Sequence, residues 1–503
     1  MPQSTQLGRM ACLLTLLWAL PAAAALALAL TRGRPVWLGP LCAGAALVLS
    51  VTLWSQAGKA AAWAPWIGAA GLGTPHGAAI VSYRLGLSGL SLLLVALTLL
   101  ITTVAGLAGL RLGGAFVAWL TMLGAAATGM FLARDLVLFY IFWELMLVPT
   151  YFLLVGWGGP GRRAAAWRFL IYNVGGSVFL LLAVAALTAF GVVMPGLGVA
   201  VLGAASHTLP AAAVGPLAIA LFIAFAVKTP LWPAQGWVAD TYSELPAPAA
   251  ALVAGVQSKA GLYGMLALLL PLLPGGVAAF RGWFIALCVV SLLYGAFCAL
   301  AATDARRLLA YSSVSHLSLV MLAFLTLRQG ALYGGVLQMV AHGLFTAGLF
   351  LLVGMLESRL GGPVRLAQLG GLARRAPALA GGLMLLGMAA LGLPGLAGFP
   401  GELMMLVGIY RYAPWLAVVG ALSLVLAAAY VLRLIQSVLH GQAPAGAATL
   451  GDLRAGERWL LVPLALLVLL IGLFPQPIPA RAAGAVRAIV RAAGPARQGG
   501  TAA

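Results

Sequence analysis

The chain has 503 residues, of which 63% are hydrophobic and 7% are charged, and its mean hydropathy is +1.08. This composition excludes an ordinary soluble globular protein and predicts an all-α, polytopic membrane protein. The net charge of +19 does not indicate nucleic-acid binding, because the basic residues are spread over many short loops rather than gathered in one basic domain.

Apolar segments of about 20 residues recur along the whole chain, which is the length needed to cross a hydrocarbon core of roughly 30 Å. They predict about 14 transmembrane helices. The first resembles a signal peptide, but a retained first helix fits a polytopic chain better. The predicted spans are 11–31, 37–56, 86–108, 113–131, 135–157, 165–190, 211–229, 247–272, 279–300, 305–327, 331–357, 378–410 with a break, 414–438 and 458–475.

The spans group into three predicted regions. Residues 1–84 hold two helices and an interfacial loop, residues 85–440 form the membrane core, and residues 441–503 form a C-terminal helix and a tail. Orientation follows from the rule that Lys and Arg collect on the cytoplasmic side. Fifteen of the 28 Lys and Arg fall on one side and eleven on the other, leaving out two lysines at membrane depth. Both termini are therefore predicted to be periplasmic, in a bacterial inner membrane.

No nucleotide-binding or metal-binding motif is visible in the sequence. It contains no Walker A sequence, and no GxGxxG motif stands between a strand and a helix. Cys12, Cys42, Cys288 and Cys298 lack the CxxC and CxxH spacings of iron–sulfur and zinc sites. We therefore expect neither a cofactor nor a metal ion in this chain.

The stretch 222–264 holds the most unusual residues of the core. Lys228 and Lys259 lie in apolar surroundings, and prolines interrupt the helix between them. A charge at the bilayer centre costs about 2.5–3.5 kcal/mol on insertion scales, so these lysines are functional candidates. Irregular backbone survives in a membrane only where protein or a water-filled cavity satisfies its polar groups. Snorkelling is the alternative for Lys259, but the side chain would have to reach too far.

Two of the nine carboxylates, Glu144 and Glu402, lie within predicted spans rather than near loops. Glu144 is expected to pair with Lys228, because opposite charges at membrane depth stabilise each other. A purely structural ion pair is the alternative for Glu144. Glu402 follows a second proline-interrupted segment, LPGLAGFPGE.

Two histidines add polar stripes to apolar helices. His316 shares a helical face with two serines, and His342 shares one with Gln338 and Thr346. A hydrated proton path needs such stripes, because each site must lie within hydrogen-bond reach of the next. The alternatives are core histidines that hydrogen-bond between helices, and a haem held by both rings. A haem would leave the membrane-embedded lysines and glutamates unexplained.

The spacing of these residues predicts an internal duplication. Glu144 and His316 are 172 residues apart, and Lys228 and Glu402 are 174 residues apart. In each half of the chain, an ionisable residue on an intact span is followed by an ionisable residue at a proline-broken span. This pattern is typical of two inverted five-helix repeats whose broken helices meet near the membrane midplane.

Three stretches resemble the antiporter-like subunits of respiratory complex I, the NADH–quinone oxidoreductase. They are DLVLFYIFWELMLVPTYFLL at 135–154, FAVKTPLWPAQGWVADTYSELPAPAAALVAGVQSKAGLYG at 225–264 and TDARRLLAYSSVSHLSLV at 303–320. The resemblance covers roughly 85–475. It implies that six residues form the hydrophilic axis of a proton channel: Glu144, Lys228, Lys259, His316, His342 and Glu402.

Two features favour the M type among these subunits. Glu402 stands where the L and N types are expected to carry lysine, and the sequence stops soon after the last span. Three positions depart from the family pattern. Ser88 stands where the family usually has aspartate, and Arg168 and Arg306 replace lysines. Arginine keeps the charge but does not deprotonate easily, which argues against a titrating role at those two positions.

The resemblance implies a proton-conducting membrane-arm subunit that has no redox centre of its own. Its activity would be coupled to NADH oxidation and quinone reduction in partner subunits. The expected partners are the other membrane subunits of complex I, especially the neighbouring antiporter-like subunits, together with protons and the lipid bilayer; no nucleic acid is expected. Three alternatives remain: a subunit of a multi-subunit cation/proton antiporter, a subunit of a membrane-bound hydrogenase, and a purely structural scaffold.

Overall fold

The computed structural model describes residues 2–56, 61–63, 72–74, 77–79, 83–190, 209–441 and 451–494. Within them the fold is helical, as predicted. The helices before residue 210 are α1 Pro2–Leu30, α2 Leu38–Thr52, α3 Gly89–Ala108, α4 Gly114–Leu132, α5 Leu136–Trp157 and α6 Arg162–Ala189. The later helices are α7 Ala211–Lys228, α8 Val238–Glu244, α9 Ala247–Leu272, α10 Pro274–Ala301, α11 Ala305–Leu325, α12 Gln329–Leu360, α13 Leu372–Arg375, α14 Pro377–Ala390, α15 Gly398–Tyr410, α16 Pro414–Leu439, α17 Ala455–Leu473 and α18 Pro477–Ala492.

The described residues contain thirteen helices that are long and apolar enough to cross a membrane. The remaining predicted span, 378–410, consists of the two shorter helices α14 and α15, which are separated at residues 391–397. A similar interruption at 229–237 separates α7 from α8. Both predicted breaks are therefore confirmed, whereas the inverted relation between the two repeats stays a prediction.

The centre of the bundle consists of α9, α11 and α12, which are buried along almost their whole length. Helix α9 is not a regular α-helix. It contains two π-helical segments, Val253–Gln257 and Met265–Leu269. A π turn widens the helix by one residue per turn and displaces the backbone hydrogen bonds, and such turns are frequent at functional sites. Nothing in the residue pattern of this stretch predicted them.

The segment between α2 and α3 carries two short antiparallel strand pairs that the sequence did not predict. Strand β1 (Ala61–Trp63) pairs with β4 (Arg84–Gly86), and β2 (Leu72–Thr74) pairs with β3 (Gly77–Ala79). Most of the remaining predicted interfacial loop lies outside the described residues.

The tail predicted after the last span contains an additional helix, α18. Ile478, Ala482, Val486 and Ile489 form its buried face, which packs against α3 and α12. The sequence analysis assigned no helix to this tail, although these four residues recur at helical spacing within an arginine-rich sequence. Gly89 at the start of α3 permits the contact, since a Cβ atom there would clash with the carbonyl oxygen of Arg481.

Candidate proton-transfer site

Lys259 and His342 meet at the centre of the bundle, where both side chains are fully buried. The Lys259 Nζ atom lies 2.8 Å from Nδ1 of His342. Nζ also donates to the carbonyl oxygen of Ala254, at 2.6 Å. That carbonyl belongs to the first π segment of α9, where the displaced backbone bonding pattern leaves it accessible to the side chain. The irregular backbone therefore helps to hold a cationic side chain in an otherwise apolar interior.

His316 continues the line of polar groups from His342 toward the second broken helix. The two imidazole rings are 6.0 Å apart between centroids. Nδ1 of His316 lies 3.5 Å from Oε1 of Glu402, and Gln338 donates its side-chain Nε2 to the same oxygen at 3.1 Å. Glu402 is buried near the start of α15, the helix that follows the break. We call the row Lys259, His342, His316, Glu402 the central axis.

The central axis brings together four of the six predicted residues and gives them a definite order. His342 contacts Lys259, whereas His316 contacts Glu402. A path from the lysine to the glutamate therefore meets His342 before His316. All four side chains come from helices adjoining a break or from the buried centre, where each has a polar neighbour on the axis.

Glu144 and Lys228 lie away from this axis and do not form the expected ion pair. Among the described residues, neither Oε1 of Glu144 nor Nζ of Lys228 has a hydrogen-bond partner. The Lys228 ammonium instead faces the ring of Trp143, 4.9 Å from its centroid. This is a cation–π contact, which stabilises a cation without neutralising its charge. The prediction of direct pairing was wrong because Trp143, the residue before Glu144, takes the position next to the lysine.

Glu144 lines a groove on the side of the bundle rather than an enclosed core. The groove has a volume of about 530 Å³ and is bordered by apolar residues of α5 and α6, among them Ile141 and Val174. These two side chains are 50% and 45% exposed, so the glutamate lies close to the lateral surface. Glu144 is thus partly buried beside a lateral groove, with its Oε1 atom buried, whereas Lys228 is fully buried within the chain.

Buried polar atoms without a hydrogen-bond partner among the described residues cluster around the first break. Besides Lys228, they include side-chain atoms of Thr229, Thr241, Tyr242 and Gln257. Buried polar atoms in native proteins are nearly always satisfied, by protein or by ordered water. The surroundings of this break are therefore suited to hydration, as expected for irregular backbone at membrane depth.

The two arginines that depart from the family pattern have partners at the end of the bundle. Arg168 pairs with Asp240, to which Arg307 also donates at 3.0 Å. Arg306 forms a bidentate contact with Glu357, its Nε lying 2.8 and 2.9 Å from the two carboxylate oxygens. These ion pairs give both arginines structural partners outside the central axis.

Ser88 and Asp304 are explained by helix capping. Ser88 accepts a hydrogen bond from the backbone N–H of Ser91 and forms a capping box at the start of α3. Asp304 accepts from the backbone N–H of Arg307 at the start of α11. A serine serves as well as an aspartate at an N-cap, so the unusual residue at position 88 keeps the local structure.

Sequence reasoning missed two residues of the site. Trp143 stood within a recognised stretch but has no ionisable group to attract notice. Tyr430 lies more than one hundred residues from its partner, His316, and its hydroxyl is 3.3 Å from Nε2 of that ring. A tyrosine inside an apolar span was the one available signal, because a buried hydroxyl needs a hydrogen-bond partner. The described residues contain no group of three or more His, Cys, Asp or Glu side chains suited to a metal ion.

A family model described as NADH:quinone oxidoreductase/Mrp antiporter, transmembrane, matches residues 133–427. This range includes all six predicted site residues. The chain belongs to that family. Its relatives include NADH-quinone oxidoreductase subunit M of Escherichia coli K12, which is 35% identical over 468 residues that cover 88% of this chain and 90% of the relative. The predicted resemblance, including the M type, is therefore confirmed.

Solved structures extend the comparison to the fold. A chain of respiratory complex I from Thermus thermophilus with bound NADH aligns with a TM-score of 0.85 and 32% identity, covering 96% of this chain and 99% of that one. A chain of the Mrp complex from Dietzia aligns with a TM-score of 0.83 over the same shares, at 22% identity. The second likeness concerns the fold alone. This family member is accordingly a multi-pass membrane subunit related to complex I.

Proposed function

We propose that this chain conducts protons across the membrane as an M-type, non-redox subunit of an NADH–quinone oxidoreductase. The observation that carries the proposal is the continuous central axis, in which four ionisable side chains are buried next to one another. Retaining them in an apolar interior is costly, and conduction supplies a reason for their presence. The axis reaches from the π-helical centre of α9 to the second broken helix.

In the proposed sequence a proton passes from Lys259 to His342, then to His316 and finally to Glu402. The contacts at 2.8 and 3.5 Å at the two ends of this row favour that order. The rings of the two histidines are 6.0 Å apart between centroids, and transfer between them is proposed to run through a water molecule. Each group on the route both accepts and releases a proton, which a proton path requires.

Glu144 and Lys228 are proposed to control the axis electrostatically rather than to carry the proton along it. Opposite charges that are close but unpaired interact strongly in a low-dielectric interior. A change in the charge of Glu144, which borders the lateral groove, would alter the potential felt by Lys228 and, beyond it, by Lys259. The energy would come from redox chemistry in partner subunits, since moving one charge across 100 mV costs about 2.3 kcal/mol.

The neighbouring antiporter-like subunits of complex I are the proposed partners, and both termini are proposed to be periplasmic. The proposed division at residues 84 and 440 separates the axis from the terminal helices.

The Mrp-like fold keeps a second function open, that of a subunit of a cation/proton antiporter. The 35% identity to subunit M over nearly the whole chain favours complex I.

The test is proton pumping by the intact complex in proteoliposomes, with Lys259→Ala in this chain and assembly verified by native electrophoresis. We expect the variant to assemble and to lose pumping. Arg163→Ala is the matched control, since it removes an exposed basic side chain outside the axis. Wild-type pumping by Lys259→Ala would refute the proposed route, and sodium transport without NADH–quinone activity would favour the antiporter.

A further inference from the structure

Tyr430 brings a hydroxyl group to His316 from outside the central axis. It lies on α16, and its side chain is fully buried. Its oxygen is 3.3 Å from Nε2 of His316, while Nδ1 of the same ring faces Glu402 at 3.5 Å. Both nitrogens of this imidazole therefore have a partner, one on the proposed proton route and one beside it.

The chemistry of the two partners differs in a way that concerns the proton. A neutral imidazole carries one N–H, and the nitrogen that bears it is decided by the hydrogen bond that the other nitrogen makes. An ionised Glu402 only accepts, so it favours the proton on Nδ1 and leaves Nε2 to accept. A protonated Glu402 donates to Nδ1, which places the ring proton on Nε2. A hydroxyl serves both states, because it donates to a bare Nε2 and accepts from an Nε2–H group.

We propose that Tyr430 is a positioning residue that keeps His316 competent in both tautomers during proton transfer to Glu402. This inference rests on the proposed function. One proton arrives at Nε2 and makes the ring an imidazolium. This arrival takes the combined charge of ring and carboxylate from −1 to 0. The Nδ1–H bond then breaks and an O–H bond forms on Glu402, which leaves a neutral ring and a neutral carboxyl group. The hydroxyl of Tyr430 turns from donor to acceptor and holds the ring in place throughout.

Tyr430→Phe would keep the aromatic ring and remove only the hydroxyl. The matched control is Tyr263→Phe, because the Tyr263 hydroxyl is also buried and donates to the carbonyl oxygen of Phe131 at 2.9 Å, away from His316. Both variants lose one buried hydrogen bond, so a general effect on stability would appear in both.

The experiment measures NADH–quinone turnover, proton pumping and the solvent deuterium isotope effect for the intact complex carrying each variant. For Tyr430→Phe we expect kcat and pumping to fall by about five- to tenfold, the effect of one lost hydrogen bond in the transferring state. We also expect an unchanged KM for quinone and a larger isotope effect than in the wild type, because transfer from His316 becomes slower. Tyr263→Phe is expected to leave the isotope effect at its wild-type value.

Wild-type turnover and isotope effect in Tyr430→Phe would overturn the proposal, as would equal changes in both tyrosine variants. Tyr430→His supplies a second variant, whose imidazole also donates and accepts hydrogen bonds. Turnover above that of Tyr430→Phe supports the proposal. Turnover equal to or below that of Tyr430→Phe opposes it. Glu402→Gln separates the two levels of inference. If it abolishes pumping while Tyr430→Phe has no effect, the tyrosine proposal fails and the proposed function stands. If both pump normally, the proposed function fails.

Discussion

The Nζ atom of Lys259 lies 2.8 Å from Nδ1 of His342, with both side chains at 0% exposure. An ammonium can only donate, so this contact requires an unprotonated Nδ1 whenever the lysine is charged. A neutral amine can accept, and the histidine can then carry the proton on that nitrogen. The two residues thus share one proton between two nitrogens, which makes the contact the natural first step of the central axis.

His342→Gln tests that first step. Glutamine can still hydrogen-bond to Lys259, but it cannot take up a proton at neutral pH. We expect the complex to assemble and proton pumping to fall by about 100-fold, the lower end of the usual contribution of a group that transfers protons. Pumping in proteoliposomes is the measurement. Pumping above one third of the wild-type rate would mean that protons bypass His342.

Glu402→Gln tests the far end of the axis. In the wild type, Gln338 donates to Oε1 of Glu402 at 3.1 Å. The substituted amide keeps the shape of the side chain and can retain this hydrogen bond. It removes the carboxylate that accepts a proton from His316. We expect normal assembly and loss of pumping, with partial recovery in Glu402→Asp. Full pumping by the glutamine variant would show that the carboxylate is dispensable.

Gly392 couples the second break to the axis. Its φ angle is +77°, and a Cβ atom there would clash with Oε2 of Glu402. A non-glycine residue in this conformation costs about 1–2 kcal/mol before the clash is considered. We expect Gly392→Ala to displace the glutamate and to lower both pumping and thermal stability. Gly381→Ala in α14 is the control, because no other atom lies within 4 Å of its added Cβ and alanine favours a helix.

The loop before α17 supplies a prediction about pH. Burial raises the pKa of Asp452, but hydrogen bonds from the backbone N–H groups of Ala378, Leu453 and Leu379, together with Arg458, outweigh it and hold the pKa below its usual range. A carboxyl group with a lowered folded-state pKa contributes stability that is complete above its unfolded pKa of about 3.9 and is lost as the pH falls through the folded value.

We therefore expect Asp452→Ala to remove the cap at the start of α14 and to lower the free energy of unfolding by about 1 kcal/mol at pH 7. The loss should persist at pH 5 and vanish only in acid below the lowered pKa. Thermal unfolding of the detergent-solubilised complex at several pH values is the measurement. A destabilisation that disappears between pH 7 and pH 5 would contradict the assignment.

The spans and both helix breaks could be predicted because they depend on local properties, namely apolar length and the effect of proline on a helix. The residues of the axis could be predicted for a related reason, since ionisable groups in apolar spans are conspicuous. His316 and His342 were recognised in this way, and the structure adds the order in which they lie.

The failures concern contacts between distant residues and details of the backbone. No local feature indicates that Trp143 rather than Glu144 faces Lys228, because that depends on the rotation of α5 against α7. The π turn that exposes the carbonyl of Ala254 is likewise set by packing along α9. Helix α18 was within reach of sequence analysis, since its apolar residues recur at helical spacing.

The ion pairs at the outer end of α8 bear on how the chain responds to its partners. Asp240 forms ion pairs with Arg168 and Arg307. Arg306 donates to the backbone carbonyl oxygens of Ser243 and Leu245, which follow Asp240 in the chain. Helix α7, which precedes α8 across the break, ends at Lys228, whose ammonium has no hydrogen-bond partner among the described residues. One end is thus anchored by three guanidinium groups, while the other carries a buried charge that faces the Trp143 ring without a hydrogen bond. A charge held this way responds to a change in the local potential without the loss of a hydrogen bond, so that an electrostatic signal can reach it while the helix stays anchored.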